Sequence, residues 1–244
     1  MNDRVYIHEL IDVIGPNRAR YMHHMTANWC PIGRAERDML CFGVWATVGS
    51  TGRWPEVVNM WELAGWDGLA ANFSHELVGT GMQDPSLARW WAEAAALRRG
   101  GEDRIVVPEP WSPTITELTA AGVRGEVYAH ELVRVPVGGV RAFLDALADE
   151  GRAAVEAEGV RCVGAYRVAL RNDDEALVLW AIPSWSAWAD FERAWDGAPL
   201  RRWRQRLVGM GAAVRRTLVV DAPLAPLRTG RQPQVEDRRP LSEI

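Results

Sequence analysis

A repeated segment constrains the fold of this chain more than any other feature of its sequence. Residues 5–10, VYIHEL, recur as residues 127–132, VYAHEL, 122 positions later and with five of six residues identical. Four further matches follow in the same order, at spacings that shrink to 119 and then 113: Trp61 with Trp180, Trp66 with Trp185, Trp90 with Trp203, and 105–107 with 218–220. The repeat predicts one supersecondary unit present twice in the chain.

Each half has the pattern strand, helix, strand, strand, helix, strand. The first strand, 5–10, alternates apolar and polar residues with a period of two. The other predicted elements are, in the first half, a helix at 17–29, strands at 41–48 and 55–63, and helices at 66–77 and 85–98; in the second half, a helix at 139–158, strands at 163–170 and 176–182, and helices at 184–195 and 199–208. The pattern predicts the α+β class, with two ferredoxin-like β-α-β-β-α-β modules packed sheet to sheet as a pseudo-dimeric α/β barrel.

The same pattern divides the chain into a first module, 1–118, a second module, 119–227, and a tail, 228–244. The tail is rich in arginine, proline, glutamine and acidic residues and offers little apolar area to bury. Its composition therefore predicts disorder.

The composition excludes several classes of function. The chain has 244 residues and a net charge of −4, and all 28 of its basic residues are arginine. Without lysine there is no Schiff-base chemistry, no pyridoxal-phosphate attachment and no phosphate-binding loop of the Walker type. No basic stretch is interleaved with aromatic residues, which argues against nucleic-acid binding. Three scattered cysteines and the absence of a leader or a long apolar run predict a cytoplasmic protein that does not enter the membrane.

Each half resembles the NIPSNAP-like branch of the dimeric α/β-barrel superfamily. The resemblance is carried by the opening strand with Tyr6 or Tyr128, by Gly52 before a hairpin strand, by the segment 57–62 (VVNMWE), and by the later Trp90 and Trp203. It covers nearly all of residues 4–226 with loose motifs. The resemblance implies a cavity between two facing sheets, which members use as cofactor-free monooxygenases on phenolic substrates, isomerases, lactone-forming enzymes, haem proteins or ligand binders. Fold alone does not choose among these functions.

Two histidines and two tyrosines are the catalytic candidates. If helices cover the other face of each first strand, Tyr6, His8, Tyr128 and His130 point into the cavity between the sheets. His8 would then act as general base and Tyr6 as oxyanion donor, with His130 and Tyr128 as a second pair. The alternative is that each His-Glu pair only ties the first strand to a neighbouring element.

A second set of residues is predicted to bind substrate. Asn59 and Glu62 are polar where the second half has Val178 and Ala181, and a buried carboxylate needs a partner or a purpose. The remaining candidates are aromatic residues suited to a flat, hydrophobic ligand, together with one helix histidine: Trp29, Trp45, Trp54, Trp61 and His24.

The leading functional hypothesis is a cofactor-free enzyme that uses acid-base chemistry on a small hydrophobic, phenolic or polyketide-like molecule. Isomerisation, cyclisation, dehydration and oxygenation all fit this hypothesis. The alternatives are a non-catalytic ligand-binding or scaffold protein and a haem protein with His23 or His24 as axial ligand. No metal site is predicted, since no metal-binding spacing occurs. A homodimer of the pseudo-dimeric chain stays open.

Overall fold

Eight antiparallel strands close into one barrel in the computed structural model of the chain, which describes residues 1–244 except for the side chain of Pro199. The strands are β1 (Val5–Val13), β2 (Leu40–Thr47), β3 (Glu56–Leu63), β4 (Arg98–Pro108), β5 (Val127–Arg134), β6 (Arg161–Val168), β7 (Glu175–Ile182) and β8 (Ala213–Asp221). The predicted α+β class is confirmed in this form, as a mixed structure built on a closed antiparallel barrel.

The strand order is the same in both halves of the chain. It runs β4-β1-β3-β2 in the first half and β8-β5-β7-β6 in the second, which is the order of a split β-α-β-β-α-β unit. The two four-stranded sheets meet along two short seams, β2 with β8 and β4 with β6, of three residue pairs each. Closure through these seams removes the exposed sheet edges that two separate sheets would present.

Most of the helices lie on the outer face of the barrel, close to their predicted positions. Ile115–Ala120 and Pro226–Thr229, which the sequence did not predict, instead pack against the interior cluster through Ile115, Leu118 and Leu227. Those of the first half are Arg18–His23, His24–Trp29, Cys30–Arg37, Gly65–Glu76, Pro85–Leu87, Ala88–Ala95 and Ile115–Ala120; those of the second half and the tail are Val140–Ala146, Leu147–Gly151, Arg152–Glu156, Trp185–Ala194, Ala198–Gly209, Pro226–Thr229, Val235–Asp237 and Leu241–Glu243. The segments His24–Trp29 and Leu147–Gly151 are π-helical, at corresponding places in the two halves. Among the described residues, no helix combines the length and apolar character needed to cross a membrane.

The alternation along the strands sorts side chains between the barrel interior and the helix-covered outer face. On β1, Tyr6 and His8 point inward, whereas Ile7 and Glu9 point outward. The interior is a dense cluster that includes several buried rings: Tyr6, Phe42, Trp45, Tyr128 and Tyr166. The inward direction predicted for Tyr6, His8, Tyr128 and His130 therefore agrees with the structure.

The tail packs against the first half, which contradicts the disorder that its composition predicts. The side chain of Gln232 accepts a hydrogen bond from the Cys41 backbone N–H (3.0 Å) and donates one to the Cys41 carbonyl (2.8 Å). Arg238 donates to the Ala27 carbonyl at 3.2 Å. The physical reason is the short seam: β2 pairs with β8 only over residues 45–47, so the backbone of Cys41 needs another partner.

We expect deletion of residues 231–244 to lower the melting temperature by roughly 6–12 °C. The deletion removes several hydrogen bonds worth about 1 kcal/mol each, and 1 kcal/mol corresponds to roughly 2–4 °C in a chain of this size. Differential scanning calorimetry measures the change. Gln232→Ala should reproduce part of it, while Glu236→Ala, on the exposed side of the tail, serves as control. An unchanged melting temperature after deletion would show that these contacts add nothing.

Candidate functional site

The two histidines of the barrel interior lie side by side across the axis between the halves. The ring centroids of His8 and His130 are 5.8 Å apart, and the side chains are 1% and 4% exposed. Trp45 packs edge-on against His130 with centroids 4.8 Å apart. None of the four ring nitrogens has a hydrogen-bond partner among the described residues.

The electrostatics of the interior keep both histidines neutral. Burial, followed by His130 and Arg104, holds the pKa of His8 well below its usual value. Burial alone lowers the pKa of His130 to about 3. Tyr6 donates a hydrogen bond to Glu62 at 3.0 Å, and burial raises the pKa of Tyr6. A base whose conjugate acid forms only near pH 3 is poorly matched to proton transfer near neutrality.

A cavity of about 480 Å³ lies on the outer face of the first half, between its sheet and its helices. We call it the first-half cavity. Its walls are largely aromatic: Trp29, Trp61, Phe73, Trp90 and Trp91. Its charged and amide residues are Glu9, Asn72, Glu76, Arg98, Asp103, Arg104 and Arg171. An apolar cavity with a few converging polar groups is the usual form of a small-molecule site.

Glu9 lies on the sheet side of the first-half cavity, with one carboxylate oxygen fixed in place. Glu9 Oε2 accepts hydrogen bonds from Trp61 Nε1 at 2.8 Å and from Asn59 Nδ2 at 2.9 Å. Asn59 also donates to the hydroxyl of Tyr21 at 3.0 Å. The other oxygen, Oε1, has no hydrogen bond among the described residues. The carboxylate is therefore oriented by its neighbours and keeps one oxygen for a ligand.

A second carboxylate stands beside Glu9 on the neighbouring strand. Asp103 is the direct cross-strand partner of Glu9 and lines the rim of the same cavity. Loss of hydration, and then the charge of Asp103, raises the pKa of Glu9. Loss of hydration also raises the pKa of Asp103. Two like charges on adjacent strands favour a state in which the pair holds a proton.

Of the three arginines around the first-half cavity, two are paired with acids. Arg104 binds Glu175 at 3.1 Å, and Arg171 lies 3.5 Å from the same carboxylate. Arg98 stacks over the Trp91 ring, with its Cζ 5.4 Å from the ring centroid. Arg98 is therefore the cation that faces the two carboxylates, and it lowers the pKa of Glu9 against the larger effect of burial.

The corresponding region of the second half is filled by an arginine side chain. Glu131, which matches Glu9, accepts from Trp180 Nε1 at 2.9 Å, as Glu9 does from Trp61. Its other oxygen accepts from Arg216 Nε at 2.8 Å. Arg216 is the cross-strand partner of Glu131, just as Asp103 is that of Glu9. Both halves thus have a glutamate whose Oε2 accepts a hydrogen bond from a tryptophan. The Oε1 of Glu131 binds Arg216, whereas the Oε1 of Glu9 has no such partner.

The residues predicted to bind substrate fall in three places. Trp29 and Trp61 line the first-half cavity, with Asn59 supporting Glu9 behind them. His24 does not line the first-half cavity. It is buried and stacks on the lining residue Trp90, with ring centroids 4.8 Å apart. The other three lie elsewhere: Trp45 and Glu62 in the barrel interior, and Trp54 on the surface at 65% exposure.

The histidines do not fit a haem in the first-half cavity. Both ring nitrogens of His24 are engaged, Nε2 with the Trp90 carbonyl at 3.2 Å and Nδ1 with Asn28 at 3.0 Å. His23 accepts from the Arg239 backbone N–H at 3.2 Å, on the side of the tail. Within the described part of the chain, no histidine lines the cavity. A histidine-ligated haem therefore has no axial ligand there.

One group of side chains outside the first-half cavity has the composition of a metal site. Ligand atoms of Glu36, His75 and Asp84 lie within 4.8 Å of one another. Asp84 is already bound to the guanidinium of Arg37 at 2.9 Å. That ion pair satisfies the buried carboxylate, so the group is explained without a metal.

Sequence reasoning missed Glu9, Asp103 and Arg216, although the repeat contains the signal. Glu9 and Glu131 are 122 positions apart, and Asp103 and Arg216 are 113 apart, both at spacings the repeat already defines. A change from aspartate to arginine beside a retained glutamate is a charge reversal at one matched position. Comparing charges between the halves would have indicated this site.

Comparison with known proteins supports the fold. No protein-family model and no curated protein matches the sequence. Among solved structures, a proposed monooxygenase from Lactobacillus acidophilus has a TM-score of 0.56 at 9% identity, covering 91% of this chain and 97% of that one. An anthrone oxidase-like protein has a TM-score of 0.57 at 12% identity, covering 90% and 92%. A chlorite dismutase variant from Candidatus Nitrospira defluvii has a TM-score of 0.52 at 13% identity, covering 91% and 92%.

At these identities the likeness shows a shared fold and nothing finer. The likeness extends over about nine tenths of this chain and of each compared chain, so it covers both halves of the barrel. The NIPSNAP-like branch stays a prediction.

Proposed function

We propose that the chain is a tandem pair of modules, 1–118 and 119–227, and that the first module is a cofactor-free enzyme for a small, flat, hydrophobic substrate. The observation that carries the proposal is the contrast between the halves. Glu9 lines a cavity with aromatic walls and has one oxygen without a hydrogen bond among the described residues, whereas the corresponding oxygen of Glu131 is bound by Arg216. In this proposal the reaction takes place on the helix-covered face of the first sheet and not between the sheets, where His8 and His130 lie.

In this proposal Glu9 is the general base and Asp103 its partner in holding the proton. Burial and the neighbouring Asp103 raise the pKa of Glu9, which makes its carboxylate a stronger base than an ordinary glutamate. Trp61 and Asn59 fix the orientation of the carboxylate, and the indole rings hold the substrate plane. The substrate proton goes to Glu9 Oε1.

Of the reactions that begin with proton abstraction, we favour oxygenation by dioxygen. The names of two similar structures, a monooxygenase and an anthrone oxidase-like protein, motivate this choice. Conversion of a ring CH₂ to a carbonyl by O₂, with the second oxygen atom leaving as water, balances without a further reductant. Such a reaction needs a base beside a surface that holds a flat ring, and the first-half cavity offers Glu9 and its aromatic walls.

The test is to transfer the arginine of the second half into the first. Asp103→Arg places a guanidinium where it can pair with Glu9 as Arg216 pairs with Glu131, and we expect it to abolish oxygen uptake with anthrone. Asp103→Asn, which removes the charge without filling the cavity, should retain part of the activity. Circular dichroism checks folding of both variants. Full activity of a folded Asp103→Arg protein would exclude this cavity as the site.

A further inference from the structure

The second half contains an internal example of what its carboxylate binds. The guanidinium of Arg216 donates from Nε to Glu131 Oε1 at 2.8 Å, and its Nη2 lies 2.7 Å from the same oxygen. Its Cζ lies 4.9 Å from the Phe191 ring centroid and 4.5 Å from that of Trp195. A flat cation is therefore hydrogen-bonded at its edge and covered by aromatic rings.

The first half keeps the acceptor of this arrangement but has no cation at the position that matches Arg216. Glu9 Oε2 is held as Glu131 Oε2 is, by the indole N–H of the matched tryptophan. The position of Arg216 is occupied by Asp103, so the cation has been replaced by a second anion. The space is left as the first-half cavity, lined by four indole rings.

We infer that the first-half cavity recognises a planar nitrogen group with two adjacent N–H donors, such as an amidine, a guanidine or an amino-substituted nitrogen heterocycle. The edge of the group faces Glu9 Oε1 and Asp103, and its plane lies against the indole walls. Charge-assisted hydrogen bonds of this kind are about twice as strong as neutral ones. The inference rests on the proposed location of the site and adds a second class of ligand, bound by the same residues as the proposed hydrophobic substrate.

The charged residues around the space beside Glu9 and Asp103 favour a positively charged ligand. Glu76 is bound to Arg37 at 2.8 Å. Arg104 pairs with Glu175 and Glu102, and Arg171 with Glu175 and Asp174, so these arginines are neutralised by acids of their own. Glu9, Asp103 and Arg98 are left, which gives a net negative charge when both carboxylates are ionised.

The test is a titration of ¹⁵N-labelled protein with benzamidine, with its neutral analogue benzamide and with benzoate. The indole N–H of Trp61 donates to Glu9, so its resonance reports directly on this carboxylate, and that of Trp180 reports on Glu131. The tryptophan-to-phenylalanine variants Trp61→Phe and Trp180→Phe assign the two signals. We expect benzamidine to shift the Trp61 signal and not that of Trp180. It should bind at least about tenfold more tightly than benzamide or benzoate, which corresponds to about 1.4 kcal/mol.

The outcomes separate this inference from the proposed function. Equal binding of benzamidine and benzamide at Trp61 would overturn the choice of a cation and leave the cavity as a site for flat rings. No shift of Trp61 with any of the three compounds would count against both. In Arg216→Ala, benzamidine should also shift Trp180, because removal of the guanidinium opens the matched position in the second half. A folded Arg216→Ala protein without that second shift would show that Arg216 does not occupy a ligand position.

Discussion

We expect Glu9→Gln to lower oxygen uptake with anthrone, the proposed activity, by at least about 100-fold and to leave the fold intact. The magnitude is that of losing a general base, whose contribution is typically 10²- to 10⁴-fold. A glutamine oxygen can still accept from Trp61 and Asn59, so the geometry of the wall is kept. Because burial raises the pKa of Glu9, its ionised form is disfavoured in the fold, and an uncharged replacement should not reduce stability.

The matched control is Glu131→Gln, which changes the same carboxylate in the other half. This substitution leaves the guanidinium of Arg216 without its main partner, although Glu192 lies 3.3 Å away. We expect a loss of about 1–3 kcal/mol in the free energy of unfolding and no change in oxygen uptake. For each variant, urea denaturation measures the free energy of unfolding and an oxygen electrode measures the rate of oxygen uptake. Equal activity losses in both variants would contradict the assignment of the reaction to the first half.

We expect acid to weaken the fold through the two interior histidines, His8 and His130, and replacement of both with leucine to remove this effect. Because the folded-state pKa values of His8 and His130 are lowered, the unfolded chain binds protons that the folded chain does not. Their contribution to stability is thus complete above the ordinary histidine pKa of about 6.5 and is lost as the pH falls below it. Between pH 7 and pH 5 the His130 site alone costs about 2 kcal/mol, and His8 adds to this loss in the same direction.

The measurement is the free energy of unfolding as a function of pH for the native chain and for the variant with His8→Leu and His130→Leu. Several buried carboxyls have raised pKa values and act in the opposite direction, among them Asp221 with a pKa of about 7. They are present in both proteins, so the difference between the two curves isolates the histidines. At pH 7 we expect the variant to be at least as stable, since four unpartnered ring nitrogens are removed. Parallel curves would show that the histidines are not held neutral.

The elements of the fold could be predicted because the repeat reports each of them twice. The hairpins, the alternation of β1 and the Ser184 N-cap, which accepts from Ala187 N–H at 3.0 Å, follow from local patterns that neighbouring residues enforce. The inward direction of Tyr6 and His8 also follows from alternation, once helices cover the other face.

The site and the tail could not be predicted in the same way because they depend on contacts between distant segments. Whether the space beside Glu9 is open depends on the side chain at position 103, on another strand nearly a hundred residues away. The tail is held by Gln232 against a stretch of β2 that the barrel seam leaves unpaired. Composition describes the tail alone and carries no information on that free edge.

The most direct test of the account is a crystal structure of the protein soaked with anthrone and, separately, with benzamidine. The account predicts a ring in the first-half cavity, against the indole of Trp61 and within hydrogen-bond distance of Glu9 Oε1, with the matched position beside Glu131 still filled by Arg216. A ligand bound between His8 and His130, or beside Glu131, with the first-half cavity empty, would contradict it.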